Sequence, residues 1–112
     1  MNGKSMKNIG FAEVLKLGEL VDYQDGKVIS RTLSQVPQVT VTLFAISQGE
    51  GISAHTAPGD ALVQVLDGEA EVTIGGNTYN VKAGESIVMP EGVAHALEAR
   101  RQFKMLLTLI KN

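Results

Sequence analysis

Apolar and polar residues alternate in short segments from about residue 28 to the end of the chain. Val28–Leu33 and Val39–Ile46 are rich in β-branched residues, and Pro37 marks a turn between them. In Glu69–Ile74 the apolar residues occupy every second position. Because strand side chains point alternately to opposite faces, this pattern is typical of strands with one buried face.

Turn residues divide the rest of this region into further short apolar segments. Additional strands are predicted at Ala61–Leu66, Thr78–Val81, Ser86–Met89, His95–Ala99 and Phe103–Ile110. The Asp67-Gly68 dipeptide predicts a hairpin, because glycine tolerates the positive φ of a tight turn. About eight short strands at this spacing predict an all-β antiparallel barrel or sandwich. A parallel sheet is not expected, because the connections have no room for crossover helices.

The region before the strands carries weaker signals. Met1–Ser5 is polar and is expected to be a flexible extension, and residues 6–112 are expected to form one domain. The segment between Gly10 and Gly18 predicts at most a short helical turn, from its apolar residues Phe11, Val14, Leu15 and Leu17.

Composition excludes several classes of function. The chain has 112 residues and a net charge of −2, without a basic stripe, so nucleic acid is not an expected partner. It has no cysteine, which removes thiolate metal sites and disulfides. No segment approaches the ~20 apolar residues that span a bilayer, and no signal peptide is visible, so a cytoplasmic location without membrane contact is expected.

The two histidines lie in separate blocks bounded by turn residues. His55 follows Gly49 after five residues, in a block that ends at Gly68. The second block begins at Gly84 and contains Pro90, Gly92 and His95. These spacings resemble the two signature motifs of the cupin superfamily. The resemblance extends from Val39 to Ile110 and implies a small single-domain bacterial cupin of the conserved-barrel type, with an antiparallel double-stranded β-helix, or jelly-roll, fold.

The resemblance also implies a metal site, which this chain reproduces only in part. In the family, two His and one Glu of the first motif and one His of the second usually hold the metal. Ala57 and Ala61 occupy the positions of the second His and the Glu, so only His55 and His95 remain. Two imidazoles leave either no metal or a weakly held divalent ion of Zn, Ni, Fe, Mn or Cu.

Asp60 is the one candidate for a third metal ligand. It precedes Ala61 by one residue, and a displacement of one residue along a strand points a side chain to the opposite face. Only a β-bulge near Pro58 and Gly59 would turn Asp60 inward.

The small side chains at positions 57 and 61 leave space inside a barrel of this size, which is wide enough for one small ligand. The predicted pocket consists of His55, Ala57, Ala61, Val63, Met89, His95 and Met105. The methionines are also candidates for simple core packing, because methionine fills irregular gaps.

The sequence leaves three functions open. The first is binding of a small molecule in the barrel, with a degenerate two-His metal site. The second is an enzyme of the dioxygenase, isomerase or decarboxylase type that the resemblance implies, either with a metal or with one His as general base. The third is a non-catalytic homodimer in which Phe103–Ile110 and Val28–Leu33 meet across the interface.

Overall fold

The computed structural model describes residues 5–112, and Met1–Lys4 of the predicted extension lie outside the described residues. Eight strands follow one short 3-10 turn at Leu17–Leu20. The strands are β1 Val28–Val36, β2 Val39–Ile46, β3 Gly51–His55, β4 Gly59–Ile74, β5 Asn77–Lys82, β6 Ser86–Met89, β7 His95–Glu98 and β8 Phe103–Lys111. Within residues 5–112, no helix is long and apolar enough to cross a bilayer.

The strands form two antiparallel layers that share β4. In the first sheet the order is β6, β4, β8, β2 and β1, and in the second it is β5, β4, β7 and β3. The first half of β4 pairs with β6 and β8, whereas its second half pairs with β5 and β7. The all-β, antiparallel jelly-roll architecture predicted from the sequence is therefore confirmed.

The hairpin predicted at Asp67-Gly68 is wrong, because β4 continues through both residues. A bulge between Val65 and Asp67 interrupts the pairing with β8 at the point where β4 passes from the first sheet to the second. Gly68 has a φ of 73°, and a Cβ there would overlap the carbonyl oxygen of Gln102. Glycine is thus required here because β4 bends and because two backbones approach closely, and not because the chain makes a turn.

Strand β3 was not predicted, although it carries His55. Its residues are mostly exposed, and only Ile52 among them is half-buried, so the segment lacks the apolar alternation of the other strands. Pairing with β7 defines it as a strand. This long-range contact has no signal in the local sequence.

Two apolar cores lie on opposite faces of the first sheet. The larger core fills the space between the sheets and contains Val63, Met89, Phe103 and Met105, among others. The smaller core lies on the outer face, where residues 6–23 cover part of the first sheet.

The covering segment is fixed at both ends. The carbonyl oxygen of Ser5 accepts a hydrogen bond from Ser34 Oγ at 2.6 Å, near the start of the segment. At its other end, Tyr23 Oη donates to Asp67 Oδ2 at 2.5 Å. The short turn lies later in the chain than predicted, at Leu17–Leu20, because its leucines pack on the sheet.

Candidate functional site

The two histidines lie opposite each other on neighbouring strands. His55 at the end of β3 pairs with His95 at the start of β7, next to a bulge that follows Ile52. Their ring centroids are 4.5 Å apart and the ring planes meet at 71°, an edge-to-face contact. His55 is exposed, whereas His95 is only 3% exposed. The structure therefore brings the two predicted site residues into direct contact at the edge of the barrel interior.

A backbone carbonyl holds each imidazole. His55 Nδ1 lies 2.9 Å from the carbonyl oxygen of Ser53, and His95 Nδ1 lies 3.1 Å from that of Val93. A carbonyl oxygen only accepts hydrogen bonds, so each Nδ1 carries the proton and donates it. In a neutral imidazole this leaves the lone pair on Nε2. A backbone carbonyl commonly fixes the tautomer of metal-binding histidines in this way.

The surroundings favour the neutral form of His95. Burial lowers the pKa of His95 below its ordinary value of 6.5, and the neighbouring His55 lowers it further, although the hydrogen bond to Val93 acts in the opposite direction. Near pH 7 this imidazole is therefore neutral. Its Nε2 atom can accept a hydrogen bond or coordinate a metal, but it provides no positive charge for an anion.

A cavity of about 170 Å³ lies beside the two rings, between the sheets. Its lining residues are Phe44, Ile52, His55, Ala57, Ala61, Met89, His95, Leu97, Leu107 and Leu109. Apart from the imidazoles and the Met89 thioether, these side chains are hydrocarbon. The walls of the cavity are therefore apolar except at the two imidazoles and the thioether of Met89.

Five of the seven residues predicted for the pocket line this cavity. The other two, Val63 and Met105, are fully buried in the larger core but lie outside the cavity lining. Val63 follows Ala61 by two residues and so points to the same face, deeper in the barrel. The alternation of side chains along a strand thus predicts which face a residue occupies, but not how deep in the barrel it lies.

Sequence reasoning missed five apolar lining residues, Phe44, Ile52, Leu97, Leu107 and Leu109. Leu107 and Leu109 follow Met105 on β8 by two and four residues, so they lie on the same inward face of the strand. The alternation of β8 could therefore have predicted both as lining residues. Ile52 was missed because β3 itself was not predicted.

Asp60 does not join the two histidines. It is exposed on β4, and its Oδ1 atom accepts a hydrogen bond from the backbone N–H of Glu91 at 2.8 Å. The bulge that would have turned it inward is absent from its pairing with β8, which is regular from Gly59 to Val65. In the described part of the chain, no three His, Cys, Asp or Glu side chains come together. The residues present therefore do not fit the three-ligand sites typical of catalytic zinc or non-haem iron.

A larger depression lies outside the barrel. It has a volume of about 800 Å³ and runs along β3 and β7, where residues 48–54 and 96–100 line it. Neither imidazole contributes to its lining. It is an open groove at the free edge of the second sheet, and we do not assign a ligand to it.

Comparison with known proteins agrees with this architecture. Residues 42–110 match the family model described as a cupin domain. A conserved protein of unknown function from Streptococcus pyogenes, known from a crystal structure, is 42% identical; the match covers 98% of this chain and 96% of that one, with a TM-score of 0.95. A Cupin 2 conserved barrel domain protein from Leptotrichia buccalis is 46% identical over 87% of this chain and 47% of its own, with a TM-score of 0.85.

One curated relative is much longer. Mannose-1-phosphate guanylyltransferase 2 of Escherichia coli O157:H7 is 33% identical over 94 residues, which cover 77% of this chain. The match spans only 19% of that enzyme.

Proposed function

The chain belongs to the cupin family, and we propose that it binds a small neutral organic molecule in the cavity between its two sheets. The observation that carries this proposal is the cavity of about 170 Å³ with apolar walls, at which the two imidazoles meet. A mostly apolar pocket with a few convergent polar groups is the usual form of a small-molecule site.

The volume sets the size of the ligand. Apolar cavities of roughly 150 Å³ accommodate benzene, so this one has room for a single six-membered ring. Phe44, Leu107 and Leu109 supply apolar contacts on the wall that belongs to the first sheet.

The polar groups set the chemistry of the ligand. The Nε2 atoms of His55 and His95 are acceptors, so the ligand should carry a hydroxyl that donates. No lining residue is Lys, Arg, Asp or Glu. A carboxylate would lose its hydration here without gaining a charged partner, and burial without compensation is costly. We therefore propose a phenol or a cyclic alcohol.

Catalysis is not part of the proposal. A metal-dependent reaction would need a third protein ligand, and Asp60 faces away from the cavity. The match to the long relative covers only 19% of that enzyme, so its reaction is not carried over to this chain.

Titration of the protein with phenol, toluene and benzoate tests the proposal. In ¹H–¹⁵N correlation spectra at pH 7.5, phenol should shift the amides next to His55 and His95. One added hydrogen bond contributes about 0.5–1.5 kcal/mol, so phenol should bind up to about tenfold more tightly than toluene. Replacement of both His55 and His95 by Ala should remove this preference, because no acceptor imidazole then lines the cavity. Equal affinity for phenol and toluene, or tighter binding of benzoate, would contradict the proposed hydroxyl recognition.

A further inference from the structure

We propose that strand β3 is a gate, which opens away from β7 to admit the ligand and closes over the ligand once it is bound. β3 supplies two of the residues that line the cavity, Ile52 and His55. The other lining residues lie on β2, β4, β6, β7, β8 and the connection after β3. Movement of β3 alone would therefore uncover the cavity. The use of the gate for ligand entry rests on the proposed function, whereas the opening itself does not.

The pairing of β3 is the least regular among the strands that line the cavity. In residues 5–112, β3 pairs with β7 alone, through Gly51, Ile52 and His55, and the register is irregular between Ile52 and His55. β6 also has a single partner strand, but all four of its residues pair with β4 in unbroken register. All residues of β3 except Ile52 are exposed. Few buried contacts and an exposed hydrogen-bonded edge are typical of segments that open locally.

The start of β3 is fixed more firmly than its end. The backbone N–H of Gly49 donates to the carbonyl oxygen of Ala99 at 2.8 Å, and the N–H of Ala99 donates to that of Glu50 at 2.9 Å. After the strand, the bond from the N–H of Gly92 to the carbonyl oxygen of Ala57 measures 3.3 Å, which is long for an N–H···O bond. The strand can therefore swing outward about its first residues.

The two imidazoles form the contact that closes the gate. His55 Nδ1 donates to the carbonyl oxygen of Ser53 within β3, whereas His95 Nδ1 donates to that of Val93 in the turn before β7. Each ring is therefore held on its own side of the gate. Across the gate the rings meet edge to face, with their centroids 4.5 Å apart. This contact can separate without the loss of either hydrogen bond.

A ligand in the cavity should hold the gate closed. It would contact Ile52 and His55 on β3 and, on the opposite wall, Leu107 and Leu109 on β8. Opening of β3 would separate the ligand from the first two residues. Because the ligand binds the closed form better than the open form, its binding shifts the equilibrium toward the closed form.

Two adjacent backbone amides on β7 allow the opening to be measured. The N–H of Ala99 points toward β3, since it donates to Glu50. Backbone groups alternate between the two neighbours of a strand, so the N–H of Leu97 also points toward β3. The N–H of Glu98 points instead toward β4, where Glu98 pairs with Glu71. The Leu97 amide therefore reports the gate, and the Glu98 amide is its matched control.

The experiment is native-state hydrogen exchange of the full chain without ligand, followed by NMR. After correction for intrinsic rates, the Leu97 amide should exchange about tenfold or more faster than the Glu98 amide, at a rate that low urea concentrations do not change. His55→Ala should accelerate exchange at Leu97 but not at Glu98. Ser53→Ala keeps the carbonyl group that holds His55 and should change neither rate. Equal protection of the two amides in the parent protein, or an equal effect of the two substitutions, would overturn the proposal.

Repetition of the exchange experiment with saturating phenol separates the gate from the proposed function. Phenol should slow exchange at Leu97 and leave Glu98 unchanged. If Leu97 exchanges faster than Glu98 but phenol does not slow it, the gate is supported and the proposed ligand is wrong. If the two amides are equally protected while phenol still shifts the amides next to the histidines, the gate is wrong and the binding site is supported.

Discussion

Replacement of Ala61 by Leu should stabilise the protein and at the same time block its cavity. Ala61 is 3% exposed on β4, and its methyl group faces the space between the imidazoles and the opposite sheet. A leucine side chain at this position would occupy the volume that we assign to the ligand. Cavity filling is a common route to higher stability, and loss of function is its usual cost.

The size of the effect follows from the cavity. Leucine adds three carbon atoms, and at about 0.8 kcal/mol per buried CH2 the gain in unfolding free energy has a ceiling of about 2.4 kcal/mol. The conformational entropy that the buried leucine side chain loses reduces this gain by about 0.5–1 kcal/mol. We therefore expect a net gain of about 1–2 kcal/mol. The cavity volume of about 170 Å³ is large enough for the added atoms.

Ala70→Leu is the matched control, because Ala70 is 0% exposed on the same strand but does not line the cavity. Added atoms there meet a packed core, and overpacking typically costs 1–3 kcal/mol. Urea unfolding followed by circular dichroism measures both variants, and unchanged m-values show that only stability has changed. If Ala61→Leu destabilises the protein as much as Ala70→Leu, or if it still binds phenol, the cavity does not have the proposed form.

Three further predictions concern the frame around the cavity. Gly68→Ala should lower the melting temperature much more than Gly84→Ala; both glycines have positive φ, but only at Gly68 does a Cβ meet another backbone. Burial and then the hydrogen bond to Asp67 raise the pKa of Tyr23. The stabilisation that Tyr23 gives to the folded protein should therefore be complete below the unfolded pKa of about 10 and be lost as the pH rises further. The difference in unfolding free energy between the parent protein and Tyr23→Phe, measured over an alkaline pH series, should therefore be smallest at high pH. Finally, Ile110 is 56% exposed on the outer face of β8; if a second copy covers this face, light scattering should show a dimer that Ile110→Lys converts to a monomer, and a monomeric parent protein would contradict it.

Most of the fold follows from local alternation in the sequence. The predicted and observed bounds of β2 and β6 agree. In β2 both faces are apolar, because Leu43 and Ala45 join the smaller core whereas Phe44 and Ile46 join the larger one. The predictions that were wrong or missing concern segments whose structure depends on pairing between strands rather than on alternation of apolar residues within one strand. Strand β3 exists because β7 pairs with it, and β4 bends between two sheets at a glycine that resembles a hairpin residue.

The site was only partly predictable. The spacing of the two histidine blocks indicated that His55 and His95 could meet, and the two alanines indicated free space. The protonation pattern was not visible, because it depends on carbonyl oxygens that the strand geometry brings to Nδ1. The outward direction of Asp60 was predictable, because it lies one residue before the inward-facing Ala61. The structure shows in addition that Asp60 accepts a hydrogen bond from the backbone N–H of Glu91.

A crystal structure of the protein soaked with phenol is the most direct test of the claim that the paired imidazoles and the apolar walls form one binding site. We predict electron density for a single ring in the cavity, with the hydroxyl within hydrogen-bond distance of Nε2 of His55 or His95. An unoccupied or collapsed cavity at saturating phenol, or a ring bound only in the groove along β3 and β7, would contradict it.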